Sequence, residues 1–229
     1  LFFNTYSARV FEPDKASLVR SIALIIAAAW LLKLIEEGGV RNSIVEFNPR
    51  RRWESLSRIP LLIPLAIYLT SYLLSSVLSL TPRTTFWGSY PRLQGAYTTL
   101  SYVVIFGAAV VNIRRKEQIE RIITTIILTS LPISVYGIMQ KFLLDPLPWG
   151  EDTITRVTST MGNAIFAGAY LIMIIPFTVM RTLGYYRVII TEKEKLIGNI
   201  AQGFIYTLIL GAQLVALWFT GSRGPWLGL

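Results

Sequence analysis

The residues IAQGFIYTLILGAQLVALWFTGSRGPW, at positions 200–226, decide the fold. An apolar run covers 200–220, a polar turn with Ser222 and Arg223 follows, and a second apolar run begins at Pro225. A helix needs about 20 mostly apolar residues to cross a bilayer. The first run therefore predicts a membrane-spanning helix, and Arg223 lies between it and the start of the next one.

The composition of the whole chain indicates a membrane protein. It has 229 residues, of which 53% are hydrophobic and 15% charged, whereas soluble domains carry about 25% charge. The absence of Cys and His excludes disulfides, a thiol nucleophile, Cys/His metal sites and a histidine base within these residues. The net charge of +9 does not indicate a nucleic-acid partner, because the basic residues lie in short loops between apolar runs. We expect no nucleic acid, no metal and no cofactor.

Six apolar runs are long enough to cross a membrane as helices, and a seventh begins near the end of the chain. None alternates as a β-barrel strand does, and a helix satisfies its backbone polar groups within itself. We therefore predict an all-α, polytopic transmembrane helix bundle, with residues 1–229 as a single transmembrane domain. Because the chain lacks an initiator Met and stops within the seventh run, we expect this domain to be incomplete at both ends. The predicted spans are 17–34, 59–80, 96–113, 119–140, 164–181, 200–220 and the start of a seventh at 225–229.

Basic residues divide unevenly between the loops on the two sides of these runs. The loops after the first, third and fifth runs carry 13 Lys and Arg residues, among them Arg181 and Arg187, against 5 in the alternate loops. Positive charge accumulates on the cytoplasmic side of membrane proteins. We therefore predict that the first set of loops is cytoplasmic and that Arg92, Arg156 and Arg223 lie on the non-cytoplasmic side.

These three arginines have small or polar neighbours at helix entrances. Arg92 stands in GSYPRLQG, Arg156 in RVTSTMGN and Arg223 in TGSRGP. Guanidinium groups and the N–H groups of a helix start both bind oxyanions, which favours a phosphate or diphosphate, although bicarbonate fits the charge equally well. Simpler explanations are an aromatic membrane belt around Arg92, helix capping after Arg156 and a plain turn at Arg223. The candidate supporting residues are Ser159, Thr160, Gly162, Asn163, Ser222 and Gly224.

In this order, the motifs resemble landmarks of the O-antigen ligase and polymerase superfamily of membrane glycosyltransferases. The family's RxxG stretch is similar to FWGSYPRLQGAYTTLSY in this chain. A second family stretch, in which an arginine, hydroxyls and Gly-Asn enter a helix, is similar to RVTSTMGNAIFAGAYL. The third, [ST]-x-S-R-[GS], is similar to TGSRGPWLGL. The resemblance runs from about Arg9 to Leu229.

The resemblance implies a multi-pass protein of the bacterial inner membrane that acts in polysaccharide biosynthesis of the cell envelope. Such proteins transfer a glycan from undecaprenyl diphosphate, a polyprenyl-diphosphate donor, to a lipid, glycan or protein acceptor without a metal. It further implies that Arg92, Arg156 and Arg223 bind the donor diphosphate. Relatives use a histidine in a large outer loop further along the chain. This chain has no histidine, so we expect that residue to lie outside it and the 229-residue piece to be inactive by itself.

Two other functions fit the same residues. The first is an anion transporter of the same superfamily, for an ion such as bicarbonate, with helices kinked at Pro132 and Pro176. The second is a non-catalytic membrane subunit whose arginines pair with lipid headgroups. A large outer loop with a histidine would favour the enzyme, and a short outer loop would favour transport.

Overall fold

All regular structure in the described part of the protein is helical. The computed structural model describes residues 13–36, 61–89, 92–145, 155–191 and 196–229. This confirms the predicted all-α class for those residues. The elements are α1 Pro13–Glu36, α2 Leu62–Val77, α3 Pro82–Trp87, α4 Ala96–Asn112, α5 Lys116–Lys141, a 3-10 turn Ser159–Met161, α6 Ala164–Thr191, α7 Leu196–Phe219 and α8 Arg223–Leu227.

Four of these helices, α1, α5, α6 and α7, are long and apolar enough to cross a membrane. The apolar helices α2 and α4 have 16 and 17 residues. At about 1.5 Å per residue they reach roughly 24–26 Å, which is short of a hydrocarbon core of about 30 Å. A multi-pass helical membrane protein is therefore supported, whereas six complete spans stay a prediction.

Helix α6 continues ten residues beyond the predicted end of the fifth run, to Thr191. Arg181 and Arg187, which the sequence assigns to a loop, are therefore helical. The physical reason is that mostly apolar and aromatic residues continue past Arg181 and no proline interrupts them before Thr191. The sequence pair Gly38-Gly39, which is typical of a helix end, lies outside the described residues.

The two prolines expected within spans lie inside helices. Pro132 interrupts the backbone hydrogen bonds of α5, and Pro176 those of α6. Proline within a membrane helix is tolerated when neighbouring groups satisfy the carbonyl that it frees. The kinks expected at these positions stay a prediction.

The chain divides into two compact units, and each is described by itself. The N-terminal unit comprises the described residues up to Arg114, and in it α1 and α3 both pack against α4. The C-terminal unit comprises the described residues from Arg115 to Leu229. A single transmembrane domain over 1–229 stays a prediction.

In the C-terminal unit, α7 packs against both α5 and α6. Apolar residues of the three helices form the interior, and many apolar side chains on the outside are exposed, as expected of helices that face lipid. The interior also holds a polar pair, because Gln213 Nε2 donates a hydrogen bond to Ser130 Oγ over 2.6 Å and both side chains are fully buried. The buried apolar clusters are Ile127, Ile174, Tyr206 and Ile209, and Leu171, Ile175, Ala216 and Leu217.

Candidate functional site

Arg156 lies against the turn between α7 and α8. Its Nε donates a hydrogen bond to the Thr220 carbonyl over 3.3 Å, and its Nη2 donates to Ser222 Oγ over 3.1 Å. We call Arg156, Thr220, Gly221, Ser222 and Arg223 the Arg156 junction. The neighbouring backbone is joined as well, since the Val157 N–H donates to the Phe219 carbonyl over 3.0 Å. The junction therefore brings together two of the three motifs that the sequence singles out.

The turn in the Arg156 junction has a defined local cause. The Thr220 hydroxyl donates to the Leu217 carbonyl over 2.8 Å and accepts a hydrogen bond from the Ser222 N–H over 3.3 Å. Gly221 has φ +57°, a left-handed conformation that glycine adopts without steric cost. Thr220 and Ser222 are both buried. Two buried polar residues therefore hold the turn, and one of them, Ser222, contacts Arg156.

Helix α8 is held against α6 by a close contact at Gly168. A Cβ placed on Gly168 would lie 2.8 Å from Pro225 Cγ, and Pro225 is buried. Only glycine permits this approach, so Gly168 sets the position of the short helix that begins with Arg223. The sequence identifies Pro225 as part of the first helical turn but gives no reason to select Gly168.

Ser159, a predicted supporting residue, is bound by α5. Gln140 accepts a hydrogen bond from the Ser159 N–H at Oε1 over 2.7 Å and donates from Nε2 to the Ser159 carbonyl over 3.5 Å. The Ser159 hydroxyl donates to the Ile133 carbonyl over 2.6 Å. Ser159 is buried, with φ +49°. Its interactions hold the segment that carries Arg156 against α5, and they occupy the hydroxyl hydrogen that an anion would need.

The other residues before α6 support the capping explanation. Asn163 Oδ1 accepts a hydrogen bond from the Ile165 N–H over 2.8 Å, so Asn163 caps α6. Gly162 ends the 3-10 turn with φ +71°. Thr160 is buried. These residues shape the segment between Arg156 and α6, which is consistent with their supporting role but does not show ligand contact.

The Arg156 junction carries two exposed positive side chains. Arg156 and Arg223 are both exposed, and in the described part of the chain neither has a carboxylate partner. The Nη1 group of Arg156 makes no hydrogen bond to a described residue. Gly224 is exposed, with open space where a Cβ would stand. A pairing of Arg156 with Glu151 or Asp152 lies outside the described residues.

Arg92 belongs to the N-terminal unit, on the turn that leads into α4. A Cβ on Gly95 would lie 2.3 Å from the Gly88 nitrogen, and Gly88 has φ +86°, so the two glycines let this turn close on itself. Arg92 is exposed and its N–H donates to the Ser89 carbonyl over 3.1 Å. Because Arg92 and the Arg156 junction lie in different units, a clamp of three arginines stays a prediction.

Arg20 of α1 is a residue that the sequence does not single out. Its Nε donates to Thr98 Oγ1 over 2.9 Å, and its Nη2 donates to the carbonyls of Trp87 and Leu93, each over 2.7 Å. Its guanidinium carbon also lies 4.7 Å from the centre of the Tyr97 ring. Arg20 therefore fixes the turn that carries Arg92. The signal available in the sequence was a charged residue within an apolar run, which is rare in membrane helices and has a partner when it occurs.

The described residues contain no group of three or more acidic side chains that could hold a metal ion. Comparisons with models of protein families, with curated proteins and with solved structures find no match to this chain.

Proposed function

We propose that this protein is an integral membrane glycosyltransferase of the O-antigen ligase type. It would transfer a glycan from a polyprenyl-diphosphate donor to a lipid, glycan or protein acceptor. The observation that carries the proposal is the Arg156 junction, where an exposed guanidinium contacts Ser222 and the next residue is a second exposed arginine. Guanidinium groups recognise phosphate oxygens through paired hydrogen bonds, and a diphosphate has oxygens for two of them.

In the proposed reaction, an acceptor hydroxyl attacks the anomeric carbon of the donor glycan. A new carbon–oxygen bond forms there, the bond to the diphosphate oxygen breaks, and the lipid diphosphate leaves with that electron pair. Arg156 and Arg223 would stabilise the charge that develops on the diphosphate, because fixed positive groups act most strongly where charge appears in the transition state. The hydroxyl proton goes to a general base, for which the family resemblance implies a histidine that is not among these 229 residues.

The proposal includes a topology with six complete spans and the start of a seventh in the bacterial inner membrane. In it, residues 59–80 and 96–113 cross the membrane in addition to the four long helices. The uneven distribution of Lys and Arg between loops supports a non-cytoplasmic position for Arg92, Arg156 and Arg223. Donor binding would then take place on the outer face of the membrane.

Glycan transfer by the full-length protein tests this function. Arg156→Ala and Arg223→Ala should each lower turnover with an undecaprenyl-diphosphate glycan by about 100-fold, the usual effect of removing one group that stabilises developing charge. Arg83→Ala is the matched control, since Arg83 is an exposed arginine on the same predicted side of the membrane. Normal transfer by both junction variants would refute the proposal.

An anion transporter is the second candidate, and one observation favours it. Gln213 and Ser130 form a buried polar pair between α5 and α7, and polar residues inside membrane helices often mark the path of a substrate. Uptake of labelled bicarbonate into proteoliposomes, measured beside glycan transfer in the same preparation, separates the two functions. A non-catalytic subunit would show neither activity.

A further inference from the structure

A second site lies along the C-terminal half of α6. A cavity of about 400 Å³ opens between α5, α6 and α7 in the C-terminal unit, with Glu120, Arg181 and Asn199 among its lining residues. Its volume is within the range of about 300–1,000 Å³ that is typical of small-ligand sites. Arg181 is 17 residues after Ala164, which at about 1.5 Å per residue places it roughly 26 Å along the helix. This cavity is therefore separate from the Arg156 junction.

The polar side of the cavity is an ion pair with unused hydrogen-bonding groups. Arg181 Nη2 contacts Glu120 Oε2 and lies 3.5 Å from Thr124 Oγ1. Among described residues, all hydrogen bonds of Arg181 use Nη2, which leaves its Nε and Nη1 groups without a partner. Glu120 Oε1 and the Asn199 side chain likewise have none there. The lining thus offers donors and acceptors side by side, with no net charge from the pair.

The remaining walls are apolar and open. Phe177 and Met180 line the cavity, and 40% and 70% of their surfaces are exposed. Gly184 also lines it, and a Cβ placed there meets no atom within 4 Å. All three stand on α6, one of the four helices able to cross a membrane. The cavity therefore opens onto the exposed apolar surface of a helix that is able to cross a membrane.

This arrangement selects a particular kind of ligand. A simple anion would meet the carboxylate of Glu120 as well as Arg181, so the pair gives it little net attraction. A ligand with both charges can place an anionic group on Arg181 and a cationic donor on Glu120. We propose that the cavity binds the headgroup of a zwitterionic phospholipid with a primary ammonium, its phosphate on Arg181 and its ammonium on Glu120. The apolar walls take the start of the acyl chains, and the inference does not depend on the proposed glycosyl transfer.

Native mass spectrometry of the full-length protein tests the inference by measuring retained lipid. The protein is exchanged into an equimolar mixture of phosphatidylethanolamine, phosphatidylglycerol and phosphatidylcholine with identical acyl chains. We expect phosphatidylethanolamine to be retained about tenfold over each of the others, as one or two charge-assisted hydrogen bonds provide. A quaternary ammonium cannot donate to Glu120, so equal retention of phosphatidylcholine would overturn the proposal.

Two glycines provide a matched pair of variants. Gly184→Leu fills the cavity and should abolish the preference, whereas Gly198→Leu adds the same side chain to α7 at a position that is also open and does not line the cavity. Equal retention by the two variants would contradict the assignment. Glycerophosphoethanolamine, which has the headgroup without acyl chains, should not displace the lipid at equal concentration. If it does, the site is for a soluble ligand and the lipid assignment is wrong.

A charge exchange keeps the test informative if Gly184→Leu does not fold. Combining Glu120→Arg with Arg181→Glu restores the ion pair in reverse order, so the thermal stability should return to near that of the parent protein. The lipid preference should stay lost, because acyl chains on the apolar walls fix the orientation of the headgroup, so that its phosphate and ammonium would now meet like charges. Recovery of the preference together with stability would show that the pair has only a structural role and would overturn the proposal.

Discussion

Two regions along α6 place arginine in opposite electrostatic surroundings. Near its N-terminal end, Arg156 contacts Ser222, the residue before Arg223, and neither arginine contacts a carboxylate in the described part of the chain. Seventeen residues along the helix from Ala164, Arg181 is paired with Glu120. The first arrangement suits a ligand of net negative charge, and the second suits a ligand that carries both charges. The residue type alone therefore does not determine the ligand, whereas the partners of the arginine do.

Placing an acidic residue beside an arginine in the Arg156 junction, as in the cavity, should cause the largest loss of diphosphate affinity. Arg223→Glu replaces two like charges with a potential ion pair, so the affinity of the full-length protein for a polyprenyl diphosphate should fall by about 100-fold or more. Equilibrium binding of a short-chain polyprenyl diphosphate measures this change. The same substitution at Arg83 should leave the affinity within about twofold of the parent protein, and an equal loss there would show a non-specific charge effect.

Separating α8 from α6 should cause the next largest loss of diphosphate binding, together with a loss of stability. Gly168→Leu drives a side chain into Pro225, which lies 2.8 Å from the position of its Cβ, and overpacking of this kind costs about 1–3 kcal/mol. We expect a lower thermal unfolding temperature and weaker diphosphate binding, because Arg223 starts the displaced helix. Gly211→Leu is the control, since its Cβ has open space. A wild-type unfolding temperature for Gly168→Leu would contradict this packing.

Releasing Ser159 from α5 should lower stability by a similar amount without displacing Arg223, so its effect on diphosphate binding should be smaller. Gln140→Leu leaves the buried Ser159 N–H without the acceptor that it has at 2.7 Å, and an unsatisfied buried donor costs about 1–3 kcal/mol. Thermal unfolding of the purified protein in detergent measures the loss. Gln202→Leu, at an exposed position on α7, should change stability little. Equal effects of the two substitutions would show that the hydrogen bond between Gln140 and the Ser159 N–H does not stabilise the fold.

Removing the Ser222 hydroxyl should cause the smallest change, a modest loss of diphosphate affinity. Ser222→Ala deletes one hydrogen bond to Arg156 Nη2 while Nε still contacts the Thr220 carbonyl. The guanidinium should stay near its position but with less order, so diphosphate affinity should fall by about fivefold. A loss as large as that of Arg156→Ala would mean that Ser222 itself binds the ligand. Isothermal titration of both variants distinguishes these outcomes.

The fold was predictable where one property of the sequence dominates it. The apolar runs over 119–140 and 200–220 predicted α5 and α7 with small differences at their ends. Helix α6 extends to Thr191, beyond the predicted end of the fifth run at 181, because a charged residue such as Arg181 ends an apolar run without ending a helix. A hydropathy run therefore does not report where a helix ends.

The site was predictable in its residue types but less so in their roles. Arg156 and the Ser222-Arg223 pair were identified from their small polar neighbours, and the structure places Arg156 against Ser222. Two interactions were not predictable, because each joins residues from separate elements. They are the hydrogen bonds of Gln140 to the Ser159 backbone and the contact of Gly168 with Pro225. Asn163 was predicted both as a cap and as a supporting residue, and its hydrogen bond to the Ile165 N–H confirms the first.

The most direct test of diphosphate binding at the Arg156 junction compares the affinities of the full-length protein for polyprenyl diphosphate and polyprenyl monophosphate with the same chain. If the Arg156 junction binds the diphosphate, the diphosphate should bind about tenfold more tightly. Arg156→Ala should abolish this difference, whereas Arg181→Met combined with Glu120→Gln should preserve it. Equal affinities for the two lipids in the parent protein, or a preference that survives Arg156→Ala, would contradict the account.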